Sequence, residues 1–373
     1  MISTHSRYII LHLLAPTLII TLTLTAFVWV IRSMQYIDYI VNYGIPVSQF
    51  LYFSSLLAPF FVLIILPVAL FISVIYTYNK LISESELIVL NSAGLSTFSL
   101  ARPALILAGF LMVVSFFVGA FVVPHAYKEF KDIQALSRTG INASQIQKGV
   151  FNTPINGLTI YIESQSPNGM LEGILVHDRN REHPITIVAQ QGQLLETENG
   201  LFLDGINAYH EFDLGEGRIN KGSFDSYTID LTHFRDKAKN RPKETEEYSI
   251  TELLFPDTSI LTERQQAKLK AEGHHRILWP VHSVILTLLA LSVLLSGQFN
   301  RRGQWRRILS ACIIATIFVA FSLIAKSIAS SNSNFIFFMY AVSLFPLIIC
   351  IAILKNHSLI KTATKYLPSY NRA

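Results

Sequence analysis

The stretch LYFSSLLAPFFVLIILPVALFISVIYT, residues 51–77, contains no charged residue. A helix needs roughly 20 apolar residues to cross the hydrocarbon core of a bilayer, so this stretch is long enough to span a membrane. Five further apolar runs have comparable length, at residues 8–31, 97–123, 277–297, 308–329 and 335–354. The sequence therefore predicts six membrane-spanning helices, and the first run is too long for a cleavable signal peptide.

Composition agrees with a membrane protein. Of the 373 residues, 51% are hydrophobic and 15% are charged, whereas soluble domains carry about 25% charged residues. The charged residues are unevenly distributed, since residues 124–275 hold 22 of the 25 acidic residues but 16 of the 30 basic ones. This long polar segment is thus predicted to form a separate domain outside the bilayer.

A short arginine-rich loop between the fourth and fifth runs predicts the orientation. It reads NRRGQWRR at residues 300–307, and short loops rich in Lys and Arg stay in the cytoplasm. Counting spans from this loop places both termini in the cytoplasm and residues 124–275 on the far side of the membrane.

Residues 156–232 alternate apolar and polar side chains, as in half-buried strands. The predicted strands are Leu158–Ile162, Gly173–Val176, Ile185–Val188, Leu201–Leu203 and Ser226–Leu231. Their spacing predicts an antiparallel sandwich or open barrel, whose apolar inner face either holds acyl chains or is simply the packed core. The flanking stretches 124–147 and 233–276 are predicted to be helical stalks.

Motifs for catalysis or cofactor binding are absent from the sequence. There is no Gly-x-x-x-x-Gly-Lys-Ser/Thr phosphate loop, no His-Glu-x-x-His and no metal-spaced cysteine pair. His274 and His275 are adjacent, so on a helix they point apart and suit a solvated stalk better than a metal site. We expect a non-enzymatic chain without cofactor or metal, whose energy comes from another subunit.

Charged residues near the spans suggest a lipid site. The six apolar runs contain no carboxylate, which argues against a proton- or sodium-coupled carrier. Arg32 and Lys326 are predicted to lie at membrane depth near its outer side. Each is interpreted either as a partner for an anionic lipid headgroup or as a side chain that snorkels to the interface.

The loop after the second span predicts a short amphipathic helix at residues 83–95. Ser83 and Glu86 match a capping box, and Gly94 is placed to end the helix. Such a helix, exposing Leu87, Ile88 and Leu90 beside the carboxylates of Glu84 and Glu86, suits a groove on a cytoplasmic ATPase.

The chain resembles the LptF/LptG permease family of the lipopolysaccharide export system over essentially its whole length. The features that carry the resemblance are Arg7-Tyr8, SESELIVLNSAGLS at residues 83–96, QKGVF at residues 147–151, and Glu272 with Arg276 and Pro280. The loop helix is the most specific of them, and it is more similar to the LptF members than to the LptG members.

The resemblance implies a permease subunit of an ABC transporter in the bacterial inner membrane, with a periplasmic β-jellyroll between spans three and four. It implies a heterodimer with an LptG-like permease, an LptB-like ATPase dimer that contacts Glu86, and transfer of lipopolysaccharide to LptC and LptA. It also places Arg32, and less directly Lys326, where the family has basic residues that face lipid phosphates.

We therefore expect a membrane α-helical fold with an inserted all-β, jellyroll-like domain. The expected parts are residues 1–123 with spans one to three and the coupling helix, 124–276 with the periplasmic domain, and 277–373 with spans four to six. The expected ATPase-coupling residues are Glu84, Glu86, Leu87 and Leu90, and the expected lipid-binding residues are Arg32 and Lys326. Alternatives are an LptG-type paralogue, a permease for another lipid, and a membrane-anchored receptor or assembly factor.

Overall fold

A computed structural model describes residues 4–37, 40, 46–139, 148–155, 157–166, 170–179, 185–197, 200–213, 219–230, 243–257, 261–295 and 304–355. In chain order the α-helices are α1 (Thr4–Met34), α2 (Val47–Ser55), α3 (Ala58–Ser83), α4 (Glu86–Ser92), α5 (Thr97–Phe117), α6 (Val123–Thr139), α7 (Ile250–Leu254), α8 (Glu263–Leu295), α9 (Trp305–Ser331) and α10 (Ile336–Lys355). Loop residues 300–303 and the tail after Lys355, which carry part of the orientation argument, lie outside the described residues.

Six helices are long and apolar enough to cross a membrane, as predicted: α1, α3, α5 with its continuation, α8, α9 and α10. A π-helical stretch, Val118–Val122, joins α5 to α6, so that one long helix runs through this part of the chain. The first predicted stalk thus begins as helix α6, whereas residues 140–147 lie outside the described residues. The fourth span begins earlier than its apolar run, because α8 starts at Glu263.

The helix α8 is the centre of the helical core. It packs against α3, α5, α9 and α10, and the leucines of its second half, such as Leu288, Leu291 and Leu294, are all buried. A helix that is apolar on every side is covered either by other helices or by lipid, and α8 is covered by other helices. The outer helices differ, since Leu22 of α1 and Phe345 of α10 are 67% and 69% exposed, as suits surfaces that meet lipid.

The polar segment between α6 and α7 contains one antiparallel sheet. Its strands are β1 (Phe151–Ile155), β2 (Leu158–Gln165), β3 (Leu171–Asp178), β4 (Ile185–Thr197), β5 (Gly200–Asp213) and β6 (Ile219–Asp230). Each strand pairs with its neighbours in sequence, in the order β1-β2-β3-β4-β5-β6. The five predicted strands are confirmed and β1 is added, but the jellyroll arrangement is not confirmed, because the described strands form a simple meander.

The inner face of the sheet is its own apolar core. Its buried side chains come from β2 to β6 and include Ile160, Ile174, Ile187, Leu203 and Ile229. All of these are at most 7% exposed. Among the described residues, the burial therefore supports a packed core on this face more than an open groove for acyl chains.

An irregularity crosses β3, β4 and β5. Gly173 and Asn207 have φ angles of 63° and 52°, in the left-handed region, and the Asn207 amide donates to Gln190 Oε1 at 3.2 Å. Past Gln190, the alternation of buried and exposed side chains along β4 shifts by one residue, because Ala189 and Gly192 are both buried. The strands β3, β4 and β5 keep the same pairing register on both sides of this irregularity.

The chain divides into two compact units. One comprises Met1–Trp29, Ala58–Ala126 and Glu244–Ala373, and the other comprises Val30–Leu57 and Tyr127–Lys243. The first contains the helical core and the second contains the sheet. The domain boundaries expected from the sequence stay predictions.

Candidate functional site

The loop helix α4 begins later than the sequence predicts. Ser83 is the last residue of α3, and its hydroxyl donates to the Asn79 carbonyl at 2.9 Å instead of capping a new helix. The N-cap of α4 is Ser85, which has a φ of 66° and no side-chain cap hydrogen bond. The predicted capping box is therefore wrong, whereas the predicted end is confirmed, because Gly94 follows the helix with a φ of 91°.

The side chains of α4 divide into an inner and an outer set. Leu87 is fully buried and belongs to the helical core, so its predicted exposure to a partner is wrong. Leu90 is partly buried against the same core. Glu84 is exposed and Glu86 is half-buried. A partner that approaches α4 from outside thus meets the exposed side chains of Glu84 and Val89 and the half-buried carboxylate of Glu86.

Glu86 is bonded to the first span. The Tyr8 hydroxyl donates to Glu86 Oε1 at 3.2 Å. Glu84, by contrast, forms only a long ion pair of 3.9 Å with Lys80, in which both side chains are half exposed. Exposed pairs of this kind contribute little to stability. Glu86 is thus the carboxylate that links α4 to another element.

Two further hydrogen bonds hold α1 against α3. The hydroxyl of Ser73 donates to the Leu13 carbonyl at 2.9 Å, and that of Thr77 donates to the His12 carbonyl at 3.2 Å. Both serve backbone acceptors of α1 from buried positions on α3. Hydroxyl-to-carbonyl bonds between apolar helices hold them together inside a membrane. These bonds thus join α3 to the first span.

Arg32 lies near the end of α1, and its side chain is exposed. Its guanidinium donates to Gln35 Oε1 at 3.1 Å. The following segment is held in place by aromatic contacts, since the rings of Tyr36 and Phe53 lie 5.4 Å and 5.7 Å from that of Phe130. Arg32 thus offers an exposed cation on an ordered support, and its predicted role in lipid binding stays a prediction.

A second contact supports the same segment. The Tyr52 hydroxyl donates to Glu129 Oε1 at 2.6 Å, which joins α2 to α6. This hydrogen bond to a carboxylate raises the pKa of Tyr52 above its usual value.

Lys326 is paired within the chain. Its ammonium lies 2.7 Å from Glu272 Oε2, and the two side chains are 32% and 16% exposed. Sequence analysis assigned Glu272 to a stalk, but α8 is continuous through it, so a largely buried carboxylate faces the fifth span. The six apolar runs themselves contain no carboxylate, but the helix that forms the fourth span carries Glu272 just before its run.

Arg276 adds a second cation beside Glu272. Its Nε lies 3.5 Å from Glu272 Oε1, with its side chain only 5% exposed. Its two terminal nitrogens donate to the carbonyls of Tyr248 and Thr245, at 2.7 and 2.9 Å. The guanidinium thereby fixes the chain before α7 to the outer part of α8.

The two adjacent histidines have separate surroundings. His274 Nδ1 lies 2.8 Å from the Tyr340 hydroxyl, whereas the His275 ring packs on Trp279. Within the described ranges no group of three or more His, Cys, Asp or Glu side chains could hold a metal ion.

An apolar cavity of about 510 Å³ lies between α8, α9 and α10. Its walls include Val293, Ile317, Phe321 and Phe345, and nearly all of its lining is carbon. Such a space at membrane depth is suited to apolar chains rather than to a polar ligand.

On the sheet, the Glu172 carboxylate accepts hydrogen bonds from two serine hydroxyls. The hydroxyls of Ser164 and Ser166 donate to its two oxygens at 2.8 and 3.0 Å. These bonds favour the charged form and lower the pKa of Glu172. They also link β2 to β3.

Sequence reasoning named Tyr8 and Glu272 among the residues that carry the resemblance but missed their contacts. Each acts through a partner distant in sequence, Lys326 and Glu86 respectively, and no local spacing rule connects such pairs. Arg276 gave a usable signal, because an arginine four residues after a glutamate on one helix face predicts a pair.

The chain is similar to known permeases. A family model described as "Lipopolysaccharide export system permease LptF/LptG" matches residues 7–356. An uncharacterized protein of Rickettsia prowazekii (strain Madrid E) is 29% identical over 341 residues, covering 90% of this chain and 94% of that protein. Lipopolysaccharide export system permease protein LptF of Escherichia coli (strain K12) is 24% identical over 335 residues, which cover 88% of this chain and 87% of that protein. Lipopolysaccharide export system permease protein LptG of Haemophilus influenzae is 21% identical over 331 residues, which cover 88% of this chain and 91% of that protein.

Proposed function

We propose that this chain, which belongs to the LptF/LptG family of lipopolysaccharide export system permeases, is the LptF-type subunit of an ATP-driven transporter. Its assigned role is to extract lipopolysaccharide from the inner membrane and to pass it to a periplasmic bridge toward the outer membrane. It would work as a heterodimer with an LptG-like permease, and an LptB-like ATPase dimer would hydrolyse ATP.

The observation that carries the proposal is the attachment of α4 to the first span. An exposed face with the carboxylates of Glu84 and Glu86 is available to a motor subunit, and Leu90 lies at its edge. The bond from Tyr8 to Glu86 then joins that face to α1. In this proposal α4 and both termini are cytoplasmic and the sheet is periplasmic, as the arginine-rich loop indicates.

Lipid extraction requires such a motor. Each methylene withdrawn from the bilayer costs about 0.8 kcal/mol, so a lipid with several acyl chains does not leave spontaneously at a useful rate. We assign Arg32 and Lys326 to the lipid phosphates, because exposed or partly exposed cations near the outer membrane surface attract anionic headgroups. The sheet would pass the lipid to LptC and then to LptA.

Purification of the tagged chain from native membranes tests this proposal. We expect a second permease of the same family, an ATPase without spans of its own, and lipopolysaccharide, identified by mass spectrometry. Recovery without an ATPase would favour the receptor or assembly-factor alternative, and recovery of phospholipid alone would favour a different cargo.

A charge reversal tests the motor contact. Glu86→Arg should lower ATPase recovery at least tenfold, because removing one partner of a buried charge contact costs about 2–5 kcal/mol. Glu263→Arg, an exposed position at the start of α8, is the matched control and should leave recovery unchanged. Normal recovery with Glu86→Arg would refute the assignment of α4.

A further inference from the structure

Glu272 is shared between two cations. It pairs with Lys326 and with Arg276, and Glu246 also acts on Arg276 from the segment before α7. Charged groups near membrane depth are costly unless they are compensated. Because Lys326 shares its counter-ion, it can still attract another anionic group.

Lys326 is the member that an outside anion can reach. Its side chain is 32% exposed, twice as much as that of Glu272. Lys326 lies 21 residues after Trp305, the first residue of α9, which places it about 32 Å along the helix. This distance is comparable to the thickness of the bilayer core, so Lys326 lies near the membrane surface opposite to the start of α9. An ammonium has three donor hydrogens, and among the described residues Glu272 is its ion-pair partner.

Glu272 keeps a partner if Lys326 moves away. Arg276 Nε lies 3.5 Å from its other oxygen, and Arg276 is itself fixed by the carbonyls of Tyr248 and Thr245. A buried carboxylate left alone would be strongly unfavourable. The second cation makes an exchange at Lys326 possible without such a penalty.

We propose that Glu272 is an exchangeable counter-ion of Lys326, which a phosphate of the transported lipid displaces on binding and which takes the ammonium back on release. Glu272 is thus a positioning residue that limits how tightly the site holds its cargo. The inference rests on the proposed function for the identity of the lipid, and it adds an internal competitor to that site.

The test measures lipid retention by the purified complex in nanodiscs. The probes are purified lipopolysaccharide and the same lipid stripped of its phosphates, each followed by mass spectrometry through a series of salt washes. Glu272→Gln should increase retention of the phosphorylated probe on the order of tenfold, since it removes the competing charge. It should also slow release on ATP addition, and it should leave the stripped probe unaffected.

Companion variants separate exchange from a structural role. Lys326→Gln should abolish the gain, so that the double variant behaves like Lys326→Gln alone. Glu272→Asp, which keeps the charge, should restore retention toward that of the unchanged protein. Glu263→Gln makes the same chemical change on an exposed part of α8 and should have no effect.

Unchanged or reduced retention with Glu272→Gln would overturn the inference, as would an equal gain for the stripped probe. If the unchanged complex binds no lipopolysaccharide, the proposed function fails, and nanodiscs containing phosphatidylglycerol then test the exchange alone. In that case a gain for Glu272→Gln that Lys326→Gln removes would support the exchange, and the lack of a gain would overturn it.

Discussion

Replacing Arg276 by methionine should detach residues 244–257, which include α7, from α8. Two hydrogen bonds from a charged donor to the Tyr248 and Thr245 carbonyls would be lost. Bonds of this kind contribute about 1.5–3 kcal/mol each. The Arg276 side chain is only 5% exposed, so solvent screening is small, but adjacent bonds are not additive. We therefore take about 3 kcal/mol, which corresponds to a factor of about a hundred in local opening.

Hydrogen exchange measured by mass spectrometry is the appropriate assay, because it reports local opening. The amides of Glu247, Leu253 and Phe255 donate to acceptors within the segment itself. They should exchange about a hundredfold faster in Arg276→Met. Arg264→Met, at an exposed position of α8, is the control and should leave the segment unchanged.

Two results would refute this reasoning. Unchanged exchange in residues 244–257 would mean that the two carbonyl bonds do not hold the segment. Equally accelerated exchange in the buried half of α8, residues 285–295, would mean that Arg276 stabilises the helical core as a whole. In either case Arg276 would be unsuited to the local role described above.

Two further predictions concern α4 and the sheet. Leu87→Ala should lower the free energy of unfolding by about 2–5 kcal/mol, because truncating a fully buried leucine leaves a cavity. Val89→Ala, at a 67% exposed position, is the control and should change that free energy by less than about 1 kcal/mol. Similar losses for the two variants in chemical denaturation would contradict the burial of Leu87. Because the folded-state pKa of Glu172 lies below its ordinary value of 4.5, its stabilising contribution is complete above that value and is lost as the pH falls through the lower, folded-state pKa. Ser164→Ala should therefore make unfolding of the sheet less dependent on pH in that acidic range, and an unaltered acid profile would show that the hydroxyl is unimportant.

The spans could be predicted because the bilayer imposes a length and a polarity that a single sequence displays directly. Where the apolar run is continued by a polar helix, the same logic fails, and the start of α8 at Glu263 was therefore not predicted. Residues 263–276 belong to the predicted helical stalk, and in the structure they form one helix with the fourth span and pack against α7 and α9.

The strands were predicted from alternation, and the one that was missed lacks this pattern. β1, Phe151–Ile155, contains Pro154, which cannot donate to a sheet and normally excludes a central strand. β1 is an edge strand, where proline is tolerated. Edge position is a tertiary property, which the local sequence does not reveal.

The site was only partly predictable for the same reason. Ser83 and Glu86 fit the capping-box spacing, but burial of Leu81 and Ile82 keeps α3 helical up to Ser83. The pair of Glu272 and Lys326 joins residues 54 positions apart, which no local pattern reveals. Charge and exposure at Glu84 and Arg32, by contrast, follow from the sequence alone.

The junction at Ser85 determines how the loop helix can move. A non-glycine residue with a left-handed backbone costs roughly 1–2 kcal/mol, and burial of Leu87 two residues later offsets this with about 1.5–3 kcal/mol. Leu87, together with the bond from Tyr8 to Glu86, therefore fixes the angle between α3 and α4. In the transporter proposed above, a small displacement of α4 would turn α3 with it, whereas a displacement large enough to expose Leu87 would uncouple α4 from the spans.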